Sequence, residues 1–184
     1  MKWSDILSIA ANRLPRCKNR ITKLFREKEF IKLIKEYYSS EVVKQMDKYI
    51  QHGTTTTLEH CINVAWISYL INKKLHLNAN EKELIEAAML HDLYLYDWHV
   101  DDPNRKLHGF YHAEIACNNA IKNFNISEKI QKAIRSHMWP LNITKVPRSK
   151  EALIICIADK YCALIETIRI NKYFKFKTLK RSEK

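Results

Sequence analysis

Apolar residues recur along this chain at intervals of three and four positions, the spacing that places side chains on one face of an α-helix. Polar segments separate these stretches, and several of them supply residues that favour a helix N-cap, such as Thr56, Ser127 and Ser149. The pattern predicts a chain of helices joined by short loops and by one longer loop over residues 93–109. The predicted helices span residues 5–14, 21–38, 41–51, 56–74, 80–91, 110–123, 128–138 and 150–170.

The composition agrees with an all-α fold. The chain has only 2 Gly and 4 Pro among 184 residues, whereas strands joined by tight turns need more of both. The length suits one domain with a complete core. We therefore expect one helical bundle of about 7–9 helices over residues 1–184, with a core over 54–170, basic helices over 1–53 packed on it and a basic tail over 171–184.

The charge balance narrows the range of partners. Lys and Arg number 32 against 20 Asp and Glu, a net charge of +12, and the excess is concentrated near both ends. Such a field favours phosphorylated ligands; nucleic acid, an anionic membrane surface or simple solvation would also suit it. No apolar run approaches the ~20 residues of a membrane span, and the five Cys lack CxxC spacing, which indicates reduced thiols and a cytoplasmic protein.

Side chains of the kinds that bind metals lie on the apolar faces of five predicted helices. His91 follows Leu84, Ala87 and Ala88 at helical spacing, so it continues their buried face, and Asp92 comes directly after it. The four other residues of this kind are His60, His112, His137 and Asp159. Asp159 falls in the middle of an apolar stripe, where a carboxylate needs a partner.

Burying all of these groups requires compensation. An isolated buried carboxylate or imidazole is costly, so each has its own hydrogen-bond partner in the core or shares a cation with the others. One metal centre would satisfy all of them at once, and the pattern favours that interpretation. Imidazole and carboxylate ligands without thiolate suit Fe, Mn, Co, Ni or Zn and do not select among them.

The order of these residues resembles a known family. A first His, a His-Asp doublet and a closing Asp, with two further His in dinuclear members, are typical of the HD-domain metal-dependent phosphohydrolases. The sequence over residues 94–98 and 137–141 looks like that of a bacterial subgroup of this family. After the doublet this chain has Leu93-Tyr94, where many members have a small pair. The segments that carry the resemblance are His60-Cys61-Ile62-Asn63-Val64-Ala65, Ala88-Met89-Leu90-His91-Asp92, His112-Ala113-Glu114-Ile115-Ala116, Ala133-Ile134-Arg135-Ser136-His137 and Ile157-Ala158-Asp159-Lys160.

The resemblance implies an all-α HD-domain bundle with a site for divalent transition-metal ions, two of them if every ligand is used. The first metal would be held by His60, His91, Asp92 and Asp159, and the second by Asp92, His112 and His137. The implied reaction is hydrolysis of a phosphate ester or anhydride, in a nucleotide or another small phosphorylated metabolite, by a hydroxide that bridges the metals. If His112 and His137 are not ligands, the site would be mononuclear.

Other side chains near these segments are candidates for catalysis and substrate binding. Lys160 and Arg135 could stabilise negative charge that develops on the phosphoryl oxygens beside Asp92, or could be solvated surface cations. His108 lies four residues before His112 and competes with it as a ligand, but the run after His112 fits the family segment better. The candidate substrate contacts are His108, Arg105, Lys106, Trp98 and Trp139.

Two other functions stay open at this point. HD-fold relatives with a mixed-valent di-iron centre oxidise small substrates with the same ligand set, and spacing cannot separate the two chemistries. A module that senses nucleotides or binds nucleic acid through a degenerate site would fit the basic tail, although the complete ligand set argues against it.

Overall fold

The computed structural model describes residues 20–100 and 107–168. Within these ranges the chain forms seven α-helices, one 3-10 turn and one small hairpin. The predicted helix over 5–14, the tail over 171–184 and the candidates Arg105 and Lys106 lie outside the described residues. The elements are α1 (Arg20–Ser39), α2 (Glu41–Lys44), the 3-10 turn (Gln45–Lys48), β1 (Ile50–His52), β2 (Thr55–Thr56), α3 (Thr57–Lys74), α4 (Glu81–Leu90), α5 (His108–Asn123), α6 (Glu128–Ser136) and α7 (Lys150–Ile168).

The N-caps predicted at Thr56, Ser127 and Ser149 are confirmed. The Thr56 hydroxyl accepts from the backbone N–H of Glu59, whose carboxylate accepts in return from the Thr56 N–H, so α3 begins with a complete capping box. Side chains of Asn80, Ser127 and Ser149 accept backbone N–H bonds in the first turns of α4, α6 and α7. These caps satisfy amides that have no partner within the helix.

One predicted helix is wrong in its second half. The helix expected over 41–51 ends at Lys44, continues as a 3-10 turn to Lys48 and gives way to β1. Strand β1 pairs antiparallel with β2, and Gly53 in the connecting turn has φ 61°, a backbone conformation that glycine adopts without strain. Such short strands leave no periodic pattern, so the sequence offered no sign of them.

Helix α4 lies at the centre of the bundle. It packs against α1, α3, α6 and α7, and its apolar side chains, such as Leu84, Ile85 and Met89, are fully buried. Helix ends also depart from the predictions, since α5 begins at His108 and α6 ends at Ser136. No helix in the described ranges is both long and apolar enough to cross a membrane.

Candidate metal centre

A first group of ligand-type atoms forms where α3 begins and α4 ends. His60 lies in the first turn of α3, and His91 and Asp92 follow the last residue of α4. The Asp92 Oδ2 atom lies 3.4 Å from His91 Nε2 and 3.8 Å from His60 Nε2. All three residues are buried, and their ligand atoms are close enough together to hold one metal ion.

A second group shares Asp92 with the first. His112 comes from the second turn of α5, and His137 directly follows α6. The other carboxylate oxygen, Asp92 Oδ1, lies 3.2 Å from His112 Nε2 and 3.5 Å from His137 Nε2. These three buried residues could hold another ion, with Asp92 between the two groups.

Asp159 completes the ring of ligand-type residues from the side of α7. Its Oδ1 atom lies 3.1 Å from His60 Nε2 and 3.8 Å from His91 Nε2. The structure thus brings together every side chain that the sequence indicated as a metal ligand, and it places Asp159 beside the first group. The ligand-type atoms converge although they come from five helices or helix ends.

Hydrogen bonds orient the histidines so that Nε2 faces the centre. The Nδ1 atoms of His91, His112 and His137 lie 2.8, 3.0 and 2.8 Å from the backbone oxygens of Ala88, His108 and Ile134. Because a carbonyl oxygen only accepts, each Nδ1 carries the proton, and in the neutral imidazole Nε2 keeps its lone pair. These histidines therefore present basic nitrogens inward, as metal ligation requires.

His60 reaches the same orientation through another helix. Its Nδ1 lies 2.8 Å from the Oε2 of Glu166 on α7, and the amide of Asn63 donates to the other oxygen of Glu166 at 2.6 Å. A carboxylate behind a ligating imidazole fixes the ring and raises its basicity. Glu166 thus belongs to the site as the partner of His60.

Two features of the centre fit a bound cation. The Nε2 atoms of His112 and His137 lie 2.9 Å apart, so two neutral rings would direct their lone pairs at each other. Among the described residues, His91 Nε2 and Asp92 Oδ1 are buried polar atoms without a hydrogen-bond partner, which is costly unless something binds them.

The electrostatics of the centre also favour added positive charge. Burial alone would raise the pKa of Asp92, but His91 and His112 outweigh it and lower that pKa well below its usual range. Burial would lower the pKa of His60, but Glu166 and Asp159 outweigh it and hold that pKa well above 6.5. The same carboxylates that would attract a metal ion thus attract protons in its place.

The centre opens into a cavity of about 1240 Å³. Asp92, His112, His137 and Asp159 contribute to its lining, and Lys160 lies beside them. The Lys160 ammonium donates to the His137 carbonyl oxygen at 2.8 Å and lies 3.8 Å from Asp159 Oδ2. Apolar side chains form much of the remaining wall, namely Val100, Leu107, Met138, Pro140, Leu141 and Ala163.

His108 and Trp98 line the cavity on the α5 side. The His108 ring stacks on Trp98 at 5.1 Å between centroids and on His112 at 4.5 Å. Burial, aided by His112, lowers the pKa of His108 to about 4, so the ring is neutral near pH 7. His99 also stacks on Trp98, at 3.9 Å between ring centroids, so the indole already contacts two imidazoles.

Two other candidates do not line the cavity. The Arg135 guanidinium points to Glu114, with Nε 2.8 Å from Oε1, and also contacts Gln131. Trp139 is 36% exposed, and its carbonyl accepts from the Cys156 thiol. The structure therefore leaves Arg135 and Trp139 outside the group of residues around Asp92, because the helical phase of α6 turns Arg135 outward.

The structure also reveals site residues that the sequence reasoning missed. Glu166 bonds His60, Gln51 bonds Asp92, and His52 lines the cavity with its ring centroid 5.3 Å from that of His60. Glu166 could have been found, because it follows Asp159 by seven residues on the same helical face. Gln51 and His52 carry no such signal, since they belong to the hairpin.

The comparison with known families agrees with this geometry. The model of a family described as HD domain matches residues 57–164, more than half of the chain. The chain therefore belongs to the HD-domain family, a superfamily of metal-dependent phosphohydrolases. No curated protein and no solved structure matches the chain significantly.

Proposed function

We propose that this protein is a metal-dependent phosphohydrolase that binds two divalent transition-metal ions and cleaves a phosphate ester or anhydride, in a nucleotide or another small phosphorylated metabolite. The observation that carries the proposal is the pair of His/Asp groups that share Asp92 at one end of an open cavity. Membership of the HD-domain family supports it. When bound, two divalent ions lower the pKa of a water and offset the negative charge of a phosphoryl group.

The side chains around the cavity have separable roles in this proposal. The imidazoles and carboxylates of the centre hold the ions, and Lys160 supplies a positive charge at the cavity wall. Its side chain is 42% exposed, and its ammonium can donate to a phosphoryl oxygen while it keeps its bond to the His137 carbonyl. His108 presents a neutral ring to the cavity from the α5 side and can contact the phosphoryl group as well. The apolar wall suits the less polar part of the substrate.

The first test is metal analysis combined with a substrate panel. Purified protein is loaded with Mn²⁺, Fe²⁺, Co²⁺, Ni²⁺ or Zn²⁺, bound metal per chain is counted, and phosphate release is measured across nucleotides and other phosphorylated metabolites. We expect two ions per chain, a loss of about one ion in His137→Ala, and no phosphate release by Asp92→Asn. His76→Asn is the matched control, because His76 is exposed, lies outside both groups and has φ 52°, which Asn tolerates.

Three outcomes would contradict the proposal. Wild-type protein that binds no metal would remove its basis. Oxygen consumption by the Fe²⁺-loaded protein without phosphate release would favour the di-iron oxygenase. Tight nucleotide or RNA binding without turnover in any of the metals would favour a sensing module.

A further inference from the structure

The hairpin before α3 delivers a buried amide to the carboxylate that the two ligand groups share. Gln51 lies in the middle of β1 and is only 6% exposed. Its Nε2 donates to Asp92 Oδ2 at 2.7 Å, across 41 residues of sequence. Neither the family signature in the sequence nor the positions of the metal ligands require this contact.

The orientation of this amide is determined by its surroundings. The ionised Asp92 carboxylate only accepts hydrogen bonds, so the amide nitrogen of Gln51 must face it. The amide oxygen then faces the Tyr94 hydroxyl, which donates to it. Thr57 Oγ1 lies 3.1 Å from the Tyr94 hydroxyl and 3.4 Å from Gln51 Oε1. A chain of hydrogen bonds thus runs from Tyr94 through Gln51 to Asp92, and a flipped amide would break it at both ends.

These hydrogen bonds restrain the χ2 torsion of Asp92, which would otherwise rotate easily. The rotation of a carboxylate about χ2 is broad and roughly two-fold, so the Asp92 side chain does not by itself fix where its oxygens point. In the structure Oδ2 faces His91 and His60, and Oδ1 faces His112 and His137. Because each carboxylate oxygen has two lone-pair directions, Oδ2 can accept from Gln51 and still coordinate an ion.

We propose that Gln51 is a positioning residue that holds the Asp92 carboxylate plane so that one oxygen faces each metal. The inference rests on the proposed function, because it assigns Gln51 a role toward the two ions. Without the amide, Asp92 can rotate and offer both oxygens to one ion. Loss of Gln51 therefore weakens the binding of one ion more than that of the other and separates the two ions electronically.

The experiment compares Gln51→Met, Tyr94→Phe and wild type during titration with Mn²⁺. Met keeps the length of the side chain and removes the amide, and Phe removes only the hydroxyl that orients it. Bound Mn²⁺ is counted by elemental analysis after equilibrium dialysis, and coupling between the ions is followed by electron paramagnetic resonance, since two Mn²⁺ bridged by one carboxylate give a signal unlike that of isolated ions. Asn72→Leu is the control, because Asn72 is also a buried amide but bonds only backbone atoms of Ala79.

We expect wild type and Asn72→Leu to bind two coupled ions. Gln51→Met binds the weaker ion about 10- to 100-fold less tightly, the range typical for the loss of an outer-shell partner, and shows the signal of isolated Mn²⁺. Tyr94→Phe shows a smaller change in the same direction and carries the test if Gln51→Met does not fold. A merely structural role would lower stability, as Asn72→Leu does, without changing the signal.

Each failure has its own signature. If wild type binds two coupled ions and both variants match it within twofold, the role of Gln51 is wrong and the proposed function is unaffected. If wild type binds one ion, Asp92 does not bridge and the inference fails with the dinuclear site. If wild type binds no Mn²⁺, the inference fails, and the proposed function fails with it only if Fe²⁺, Co²⁺, Ni²⁺ and Zn²⁺ do not bind either.

Discussion

The histidines of the centre are oriented by two different devices. Three of them use a backbone oxygen three or four residues earlier in their own element, as His91 does with Ala88. This arrangement is local, so a helical segment that places the histidine inward also fixes its tautomer. His60 lies in a first turn and depends on Glu166, 106 residues away. Of these histidines, His60 is therefore the one whose ring orientation is most sensitive to a substitution far away in the sequence.

The substitution Glu166→Gln tests this dependence. The amide that replaces the carboxylate can still accept from His60, but its NH₂ group must then face the NH₂ group of Asn63, which now donates to Glu166. We expect metal affinity to fall about 10- to 100-fold, measured by competition with a chelator of known affinity. Glu114→Gln removes a carboxylate that pairs with Arg135 away from the cavity and should leave affinity unchanged. Equal affinities in both variants would contradict the assignment of Glu166.

His108 makes the stability of the folded protein depend on pH. Its folded-state pKa of about 4 lies below the ordinary 6.5, so between these values the unfolded chain binds a proton there that the folded chain does not. Stability therefore rises with pH through this window and is lost as pH falls from about 6.5 to about 4.

The variant His108→Phe keeps the ring stack but removes this titration. In chelator, the drop in unfolding free energy between pH 7 and pH 4.5 should be smaller in His108→Phe than in wild type, by an amount on the order of 1 kcal/mol after discounting for partial solvent exposure. Urea unfolding at the two pH values measures it, and the difference between the proteins cancels the titration of the other histidines. An identical drop would show that His108 does not contribute.

The residues that could be predicted from the sequence differ physically from those that could not. Ligand-type residues such as Asp159 and His60 are polar residues at positions of a helical pattern that are otherwise apolar, and this contrast is visible in the sequence. Their partners Gln51 and Glu166 are polar residues whose importance comes only from a contact made across the fold. The position of a cation such as Arg135 in the sequence does not show which way its side chain points, so its role was left open, and the helical phase of α6 turns it to Glu114.

At the scale of elements, local chemistry was a better guide than periodicity. The helix starts at Thr56, Ser127 and Ser149 were predictable because a cap is a short-range hydrogen bond, whereas β1 and β2 form where the turn at Gly53 and contacts to α3 act together. One such contact is the Thr57 N–H bond to the Tyr49 carbonyl oxygen at 2.8 Å. The hairpin thus exists because the rest of the fold supports it, which is why the pattern over 41–51 was extended wrongly as helix.

The capping box of α3 makes a prediction at this scale. Thr56→Ala removes the side-chain bond to the Glu59 N–H and a 2.9 Å bond to Asp47, so we expect a loss of about 1 kcal/mol in unfolding free energy. Thr54→Ala is the matched control, because Thr54 is exposed in the neighbouring turn and should change stability by less than about 0.5 kcal/mol. Chemical denaturation of both variants in chelator provides the comparison, and equal midpoints would argue against the cap.

At the scale of the molecule, the centre joins helices that are far apart in the sequence. Its ligand-type residues come from α3, α5 and α7 and from the ends of α4 and α6. Without a cation, the atoms of these carboxylates and imidazoles that face the centre have protons, one another and the Gln51 amide as partners among the described residues. The basic net charge of +12 gives the whole chain a field that attracts anionic substrates.

Because bound ions would connect five helices, metal binding should stabilise the whole fold. A ligand present at 100 times its dissociation constant adds about 2.7 kcal/mol, which for a chain of this length corresponds to a rise in Tm of roughly 5–10 °C. We expect calorimetry to show this rise when Mn²⁺ or Zn²⁺ is added to chelator-treated wild type. Asp92→Asn removes the shared carboxylate and should show little rise, while Glu114→Gln should behave as wild type. A Tm that does not respond to any divalent transition metal would mean that the buried histidines and carboxylates satisfy one another without an ion.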